Sequence, residues 1–182
     1  MPAPAMIRFD FRVPAFATTP RKAIYDASLE MARFADERGF QAVILSEHHC
    51  VDDGYLPSPL VMAAAVAART QRIAITVSAL LAPLHDPVRL AEDVAVLDIL
   101  SGGRFSFTAG LGYRPVEYHA TSREFARRGR ILDELLETLL EELVAFVFED
   151  ARVEWCRVAI KKPHVFHGVA VPEVAFFRER EA

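Results

Sequence analysis

The chain has 182 residues, 52% of them hydrophobic and 25% charged, with a formal net charge of −4. This is a soluble globular composition with room for one domain and a sizeable core; it shows no basic patch for nucleic acid, and charge or proline breaks every apolar run before the roughly 18 residues of a membrane span. Two cysteines, Cys50 and Cys156, make no disulfide framework and fit a reducing cytoplasm, and Met1–Arg8 lacks the basic and apolar regions of a signal peptide.

Met6 to Val13 alternates apolar and charged residues and predicts a first strand with one face less covered. Thr19-Pro20 predicts a helix start, and Ile24, Ala27, Met31, Phe34 and Ala35 give its apolar stripe up to a stop at Gly39. Ala42 to Leu45 is continuously apolar, as in a parallel strand covered on both faces. It runs into Ser46-Glu47-His48-His49, and the cost of burying such groups places them at the mouth of the strand, where parallel sheets bind ligands.

Ser58-Pro59 starts a second, alanine-rich helix, and Ile73 to Leu81 is a third strand rich in β-branched residues. Asp86-Pro87 repeats the helix start, with Leu90, Val94 and Leu97 inward and Gly102-Gly103 as the stop. Arg104 to Ala109 is a fourth strand. Ser122 is predicted to cap a long helix striped by Leu132, Leu135, Leu136, Leu139, Leu140 and Leu143. Strands starting at 42, 73 and 104 are spaced by 31 residues, the size of one βα unit. The recurrence predicts an α/β fold with a parallel sheet. No G-x-G-x-x-G follows the first strand, so a (β/α) barrel is favoured over a dinucleotide fold.

The fold expected is therefore a partial (β/α)8 barrel of about four βα units over 1–148, with an irregular tail over 149–182. Within that tail, short strands are expected near 153–156 and 169–175, the second weakened by Pro172, with a turn at Lys161–His164. A closed barrel takes about 250 residues. A truncated or frame-shifted end, or a fragment, is expected from that difference.

Three stretches could carry chemistry. Within Glu47-His48-His49, His48 faces away from its neighbours if the strand persists, and its ring suits proton transfer or a hydrogen bond to an anionic ring. A hydrogen-bonded loop histidine without a ligand explains it equally well. Adjacent side chains seldom converge on one metal and H-E-x-x-H is absent, so no metal is expected. Ser78 and Ala79 would let a flat ligand approach the backbone, or simply allow close packing. Gly110-Leu111-Gly112-Tyr113 could present backbone N–H groups or form a tight turn. His85-Asp86-Pro87-Val88-Arg89 reads as helix entry, and His119, His164 and His167 receive no role.

In order, Ser46–His49, Ser78–Pro83, His85–Asp93, Leu97–Phe105 and Gly110–Tyr113 closely resemble the bacterial luciferase-like superfamily. These are flavin-dependent monooxygenases and deazaflavin-dependent oxidoreductases on a TIM barrel, and the resemblance covers roughly Ile7 to Leu143. It implies His48 as the catalytic proton-transfer residue beside the ring and Glu47 as an acidic residue near the cofactor. It also implies a non-prolyl cis bond at Ser78–Ala79 shaping the flavin shelf, and Leu111, Gly112 and Tyr113 beside the cofactor. Two positions depart from specialised members: Leu111 stands where luciferase has a phosphate-binding arginine, and Tyr113 where a deazaflavin-dependent dehydrogenase has a glutamate. The family's later phosphate-binding loops are not matched.

The resemblance implies a monooxygenase using reduced FMN, O2 and a small organic substrate, with a flavin reductase as partner and a homo-oligomeric assembly. The alternatives are hydride transfer with coenzyme F420, or a non-catalytic remnant pairing with another chain through its open strand edges.

Overall fold

Four parallel strands, β1 (Met6–Phe9), β2 (Ala42–Leu45), β3 (Ala74–Leu80) and β4 (Phe105–Ala109), lie side by side in chain order. A computed structural model of the protein describes residues 5–147, 155–161 and 173–179. Met6 pairs with Ala42, Ala42 with Ala74 and Ile75 with Phe105. A doubly wound sheet reverses its strand order at a switch point, whereas each strand here adds to the same side, as in a (β/α) barrel. The crossovers are α1 (Arg21–Glu37), α2 (Pro59–Arg69) and α3 (Pro87–Ser101). The expected half-barrel architecture is present.

Val43, Leu45, Ile75 and Val77 share one face of the sheet and are buried against the helices. The opposite face carries Arg8, Ser46, Thr76 and Ser106. There Arg8 donates to Ser46 at 3.2 Å and Ser106 Oγ to Thr76 Oγ1 at 3.0 Å. Strand β2 is thus covered fully on one face only, with Ile44 half-buried. The apolar run misled because Ile44 is apolar on a face whose neighbouring strands carry Arg8, Thr76 and Ser106.

β1 stops at Phe9 rather than Val13. Phe11 takes φ 63° and turns into the core, where its ring stacks on Tyr25 at 4.7 Å. The buried side of α1 also differs from the predicted stripe. Met31 and Phe34 are half exposed, whereas Ser28, Ala32, Ala35 and Asp36 face inward. Small residues let this helix sit close to the sheet. Asp36 then reaches the start of β3 and accepts the N–H groups of Gln71, Arg72 and Ile73.

Asp86 caps α3 by accepting the Arg89 N–H at 3.1 Å, and Gly102 closes it in the left-handed region at φ 65°. At the same end of the sheet as Asp36, Arg104 donates to the carbonyls of Ala67, Thr70, Ile73 and Ser101 and to Thr70 Oγ1. These two charged side chains stitch the amino-terminal end of the sheet to the helix ends around it.

Ser122 does not cap the long helix. A short helix, α4 (Pro115–Ala120), intervenes, Ser122 follows it at φ 56°, and α5 (Arg128–Val147) begins after a further turn. The leucine stripe of α5 is as predicted: Leu132, Leu135, Leu139 and Leu140 are buried, worth about 1.5–3 kcal/mol each.

β5 (Trp155–Lys161) and β6 (Glu173–Glu179) form an antiparallel pair, with Trp155 opposite Glu179 and Lys161 opposite Glu173. The first tail strand is therefore longer than predicted, the second has the predicted length but lies four residues later, and the two pair with each other. The second begins after Pro172, which has no N–H for a ladder. Most of the expected turn at Lys161–His164 lies outside the described residues. Among the described residues no helix is long and apolar enough to cross a membrane.

Candidate functional site

β2 ends at Leu45, and Ser46 to Cys50 leave the sheet at its carboxyl end, where the His48 N–H donates to Leu56 O at 3.1 Å. Within this segment His48 and His49 diverge onto two buried carboxylates, Glu117 and Glu47.

Glu47 is only 2% exposed, so it does not lie at an open mouth as predicted. Burial is tolerated because donors saturate the group: Leu81 N–H lies 2.5 Å from Oε2, and the Nε2 atoms of His49 and His85 lie 2.9 and 3.0 Å from Oε1. Burial pushes its pKa up, but these hydrogen bonds outweigh that and hold the carboxyl at about 2. The hydrogen bond to Glu47 raises the pKa of His49, against the effect of burial. Among the described residues no cluster has the geometry to hold a metal ion.

His48 faces the other way. Its Nδ1 lies 2.8 Å from Oε1 of Glu117, a side chain with no solvent exposure. The same oxygen accepts the His49 N–H at 2.9 Å. Arg114 lies 3.5 Å from it and donates to the carbonyls of His49 at 2.8 Å and Cys50 at 3.3 Å. Glu117 Oε2 has no hydrogen-bond partner among the described residues. The His48 ring stands edge-on to Tyr55 and Tyr113, at 4.7 and 5.4 Å, and its Nε2 lies 3.5 Å from the Tyr113 hydroxyl.

On the neighbouring strand the Ser78–Ala79 peptide is cis, as the resemblance implied. The β3–β4 register shifts there, from Ser78 opposite Thr108 to Leu80 opposite Ala109. The Gly110 N–H donates to Leu80 O at 2.7 Å, and a Cβ on Gly110 would stand 2.7 Å from that of Ala79. Only glycine fits without displacing β3. Gly112 takes φ 70°, which swings Tyr113 outward to face His48. Leu111 is exposed, and its carbonyl accepts from the buried Tyr118 hydroxyl.

The structure thus gathers His48, Ser78, Ala79 and Tyr113 at one end of the sheet, while Glu47 lies beneath them. Sequence reading missed Glu117, Arg114 and Tyr55 and gave His85 only a helix-entry role. A histidine just past a strand end was a readable signal for His85. Glu117 lies 69 residues from His48 in sequence, and nothing in local periodicity marks it.

The luciferase-like monooxygenase family model matches residues 8–168. The oxygenase component of the flavin-dependent trigonelline monooxygenase of Acinetobacter baylyi is 31% identical over 98 residues, 54% of this chain and 27% of that protein. The monooxygenase RslO1 of Streptomyces bottropensis superposes with a TM-score of 0.70 at 31% identity, over 76% of this chain and 42% of that one. The oxygenating constituent of 3,6-diketocamphane monooxygenase of Pseudomonas putida, solved with FMN, shares the fold with a TM-score of 0.67 at 22% identity, over 76% and 39%. The chain spans between about a quarter and two fifths of the length of these proteins. With strand order and sequence match in agreement, the chain belongs to the luciferase-like monooxygenase family.

Proposed function

We propose that this chain carries the ring-binding side of a flavin-dependent monooxygenase site, with FMN as the flavin and O2 and a small organic molecule as co-substrates. The carrying observation is the His48–Glu117 pair set beside Ser78 and Ala79 at the carboxyl ends of parallel strands. The residues present suit a flat ring. Ser78 and Ala79 keep the shelf low, Gly110 lets β4 close against it, and aromatic edges from Tyr55 and Tyr113 flank His48. They do not suit the phosphate: Leu111 is uncharged, and Arg114 is committed to the His49 and Cys50 carbonyls.

A bound reduced flavin would supply the electrons for activating O2. His48 would hold or move a proton at Nε2. Leu111, Gly112 and Tyr113 would border the ring, and Glu47 would act through His49, His85 and the Leu81 N–H rather than by contact. A flavin reductase and a homo-oligomeric assembly belong to this reading, the reductase supported by the likeness to an oxygenase component. Coenzyme F420 is not favoured, because the matching family and relatives are described as monooxygenases.

Titration of the chain with FMN and with riboflavin, followed by flavin absorption and fluorescence, tests the reading. Saturable binding weaker than micromolar is expected, with the two ligands within about twofold of each other, less than a charged phosphate contact provides. Absence of saturable binding would contradict ring binding. FMN preferred by about tenfold or more would contradict the assignment of the phosphate site elsewhere.

A further inference from the structure

We propose that Glu117 is the positioning residue that fixes His48 as its Nδ1–H tautomer, so that Nε2 alone faces the open side of the sheet. This deepens the flavin reading, but its test needs no flavin. Glu117 is fully buried, and its Oε1 already accepts the His49 N–H at 2.9 Å, with Arg114 at 3.5 Å. Those neighbours suit a carboxylate, which only accepts hydrogen bonds. The His48 Nδ1 at 2.8 Å must therefore carry the hydrogen. What remains for exchange is Nε2, directed at Tyr113.

The adjacent histidine shows the contrast. His49 Nε2 is turned onto the buried Glu47, so it is not offered to the open side. Two carboxylates from different parts of the chain thus hold two neighbouring histidines by opposite ring nitrogens, His49 through Nε2 and His48 through Nδ1, which leaves the His48 Nε2 beside the Tyr113 hydroxyl. Arg114 completes the arrangement by holding the His49 and Cys50 carbonyls, which fixes the backbone from which His48 projects.

Long-range ¹H–¹⁵N correlation spectra of the ¹⁵N-labelled chain report the tautomer directly, with the His48 signals assigned by their loss in His48→Gln. At a pH where the ring is neutral, wild-type His48 is expected as the Nδ1–H tautomer. Glu117→Ala should make Nε2–H the major form, and Glu117→Gln, which keeps an oxygen acceptor, should restore Nδ1–H. A wild-type Nε2–H tautomer, an unchanged tautomer in Glu117→Ala, or a Gln variant that behaves like the Ala variant would each overturn the proposal. Should Glu117→Ala fail to fold, the wild-type and Gln spectra still decide it. Failure of flavin binding with the tautomer intact would remove the flavin reading and leave this one standing.

Discussion

Asp36→Ala is expected to destabilise the fold by about 3–5 kcal/mol, the range for breaking a buried charged hydrogen-bond network. Asp36 lies in the last turn of α1 and is almost fully buried. Its Oδ2 accepts the Gln71 N–H at 2.8 Å, and its Oδ1 accepts those of Arg72 at 2.9 Å and Ile73 at 2.7 Å. Truncation would leave three backbone donors at the entrance to β3 without this acceptor. Burial pushes the Asp36 pKa up, but the three N–H bonds and the charge of Arg72 hold it below the ordinary value. Its stabilisation is therefore complete above the unfolded pKa and is lost as pH falls through the lowered folded one. Urea denaturation checks this, with Asp26→Ala as control. Asp26 makes an exposed pair with Lys22, worth no more than about 0.5 kcal/mol. Equal losses for the two variants would refute the role given to Asp36.

Glu47→Gln is expected to remove about 3 kcal/mol of stability between about pH 4.5 and 6.5, and to flatten the pH dependence on both sides of that window. The Glu47 pKa is lowered to about 2, so its contribution is full above the unfolded carboxyl value of 4.5 and declines as pH falls toward 2. The His49 pKa is raised above 6.5, so its contribution is full below 6.5 and declines as pH rises through the folded value. Both shifts describe one buried contact and count once. Glutamine can still accept the Leu81 N–H but carries no charge for His49 or His85. The difference in unfolding free energy between wild type and variant, measured from acid to mildly alkaline pH, should peak within the window. A difference independent of pH would contradict the account.

The elements that repeat were legible. Three helices following Pro-containing starts and the leucine stripe of α5 each depend on residues close in sequence and are found, and the strand starts at 42, 74 and 105 keep the predicted repeat to within one residue. What was not legible depends on partners far apart. The inward face of α1 is chosen by Asp36 meeting β3, so small and polar residues displaced the larger Met31 and Phe34. Arg104 looked like the first residue of a strand; its value lies in donating to carbonyls of α2 and the turns around it. At the site, the position of the Glu-His-His cluster at a strand end was readable from the apolar run before it, whereas the cis bond at Ser78–Ala79 came only from the family resemblance. The different hydrogen bonding of His48 and His49 was not readable, because His48 is held by Glu117, 69 residues away in sequence. The burial of Glu47 was misjudged for a similar reason: its cost is visible locally, but two of the three donors that offset it, Leu81 N–H and His85, come from the segment after β3.

The claim that His48, the Ser78–Ala79 shelf and Tyr113 form a flavin-ring surface is tested most directly by where a flavin touches the chain. Backbone ¹H–¹⁵N spectra recorded during addition of riboflavin should shift first at Ala79, Gly110 and Tyr113, together with the His48 ring signals, and His48→Ala should weaken the response. Shifts confined to the helix-covered face or the β5–β6 pair, with these four residues unmoved, would contradict the account.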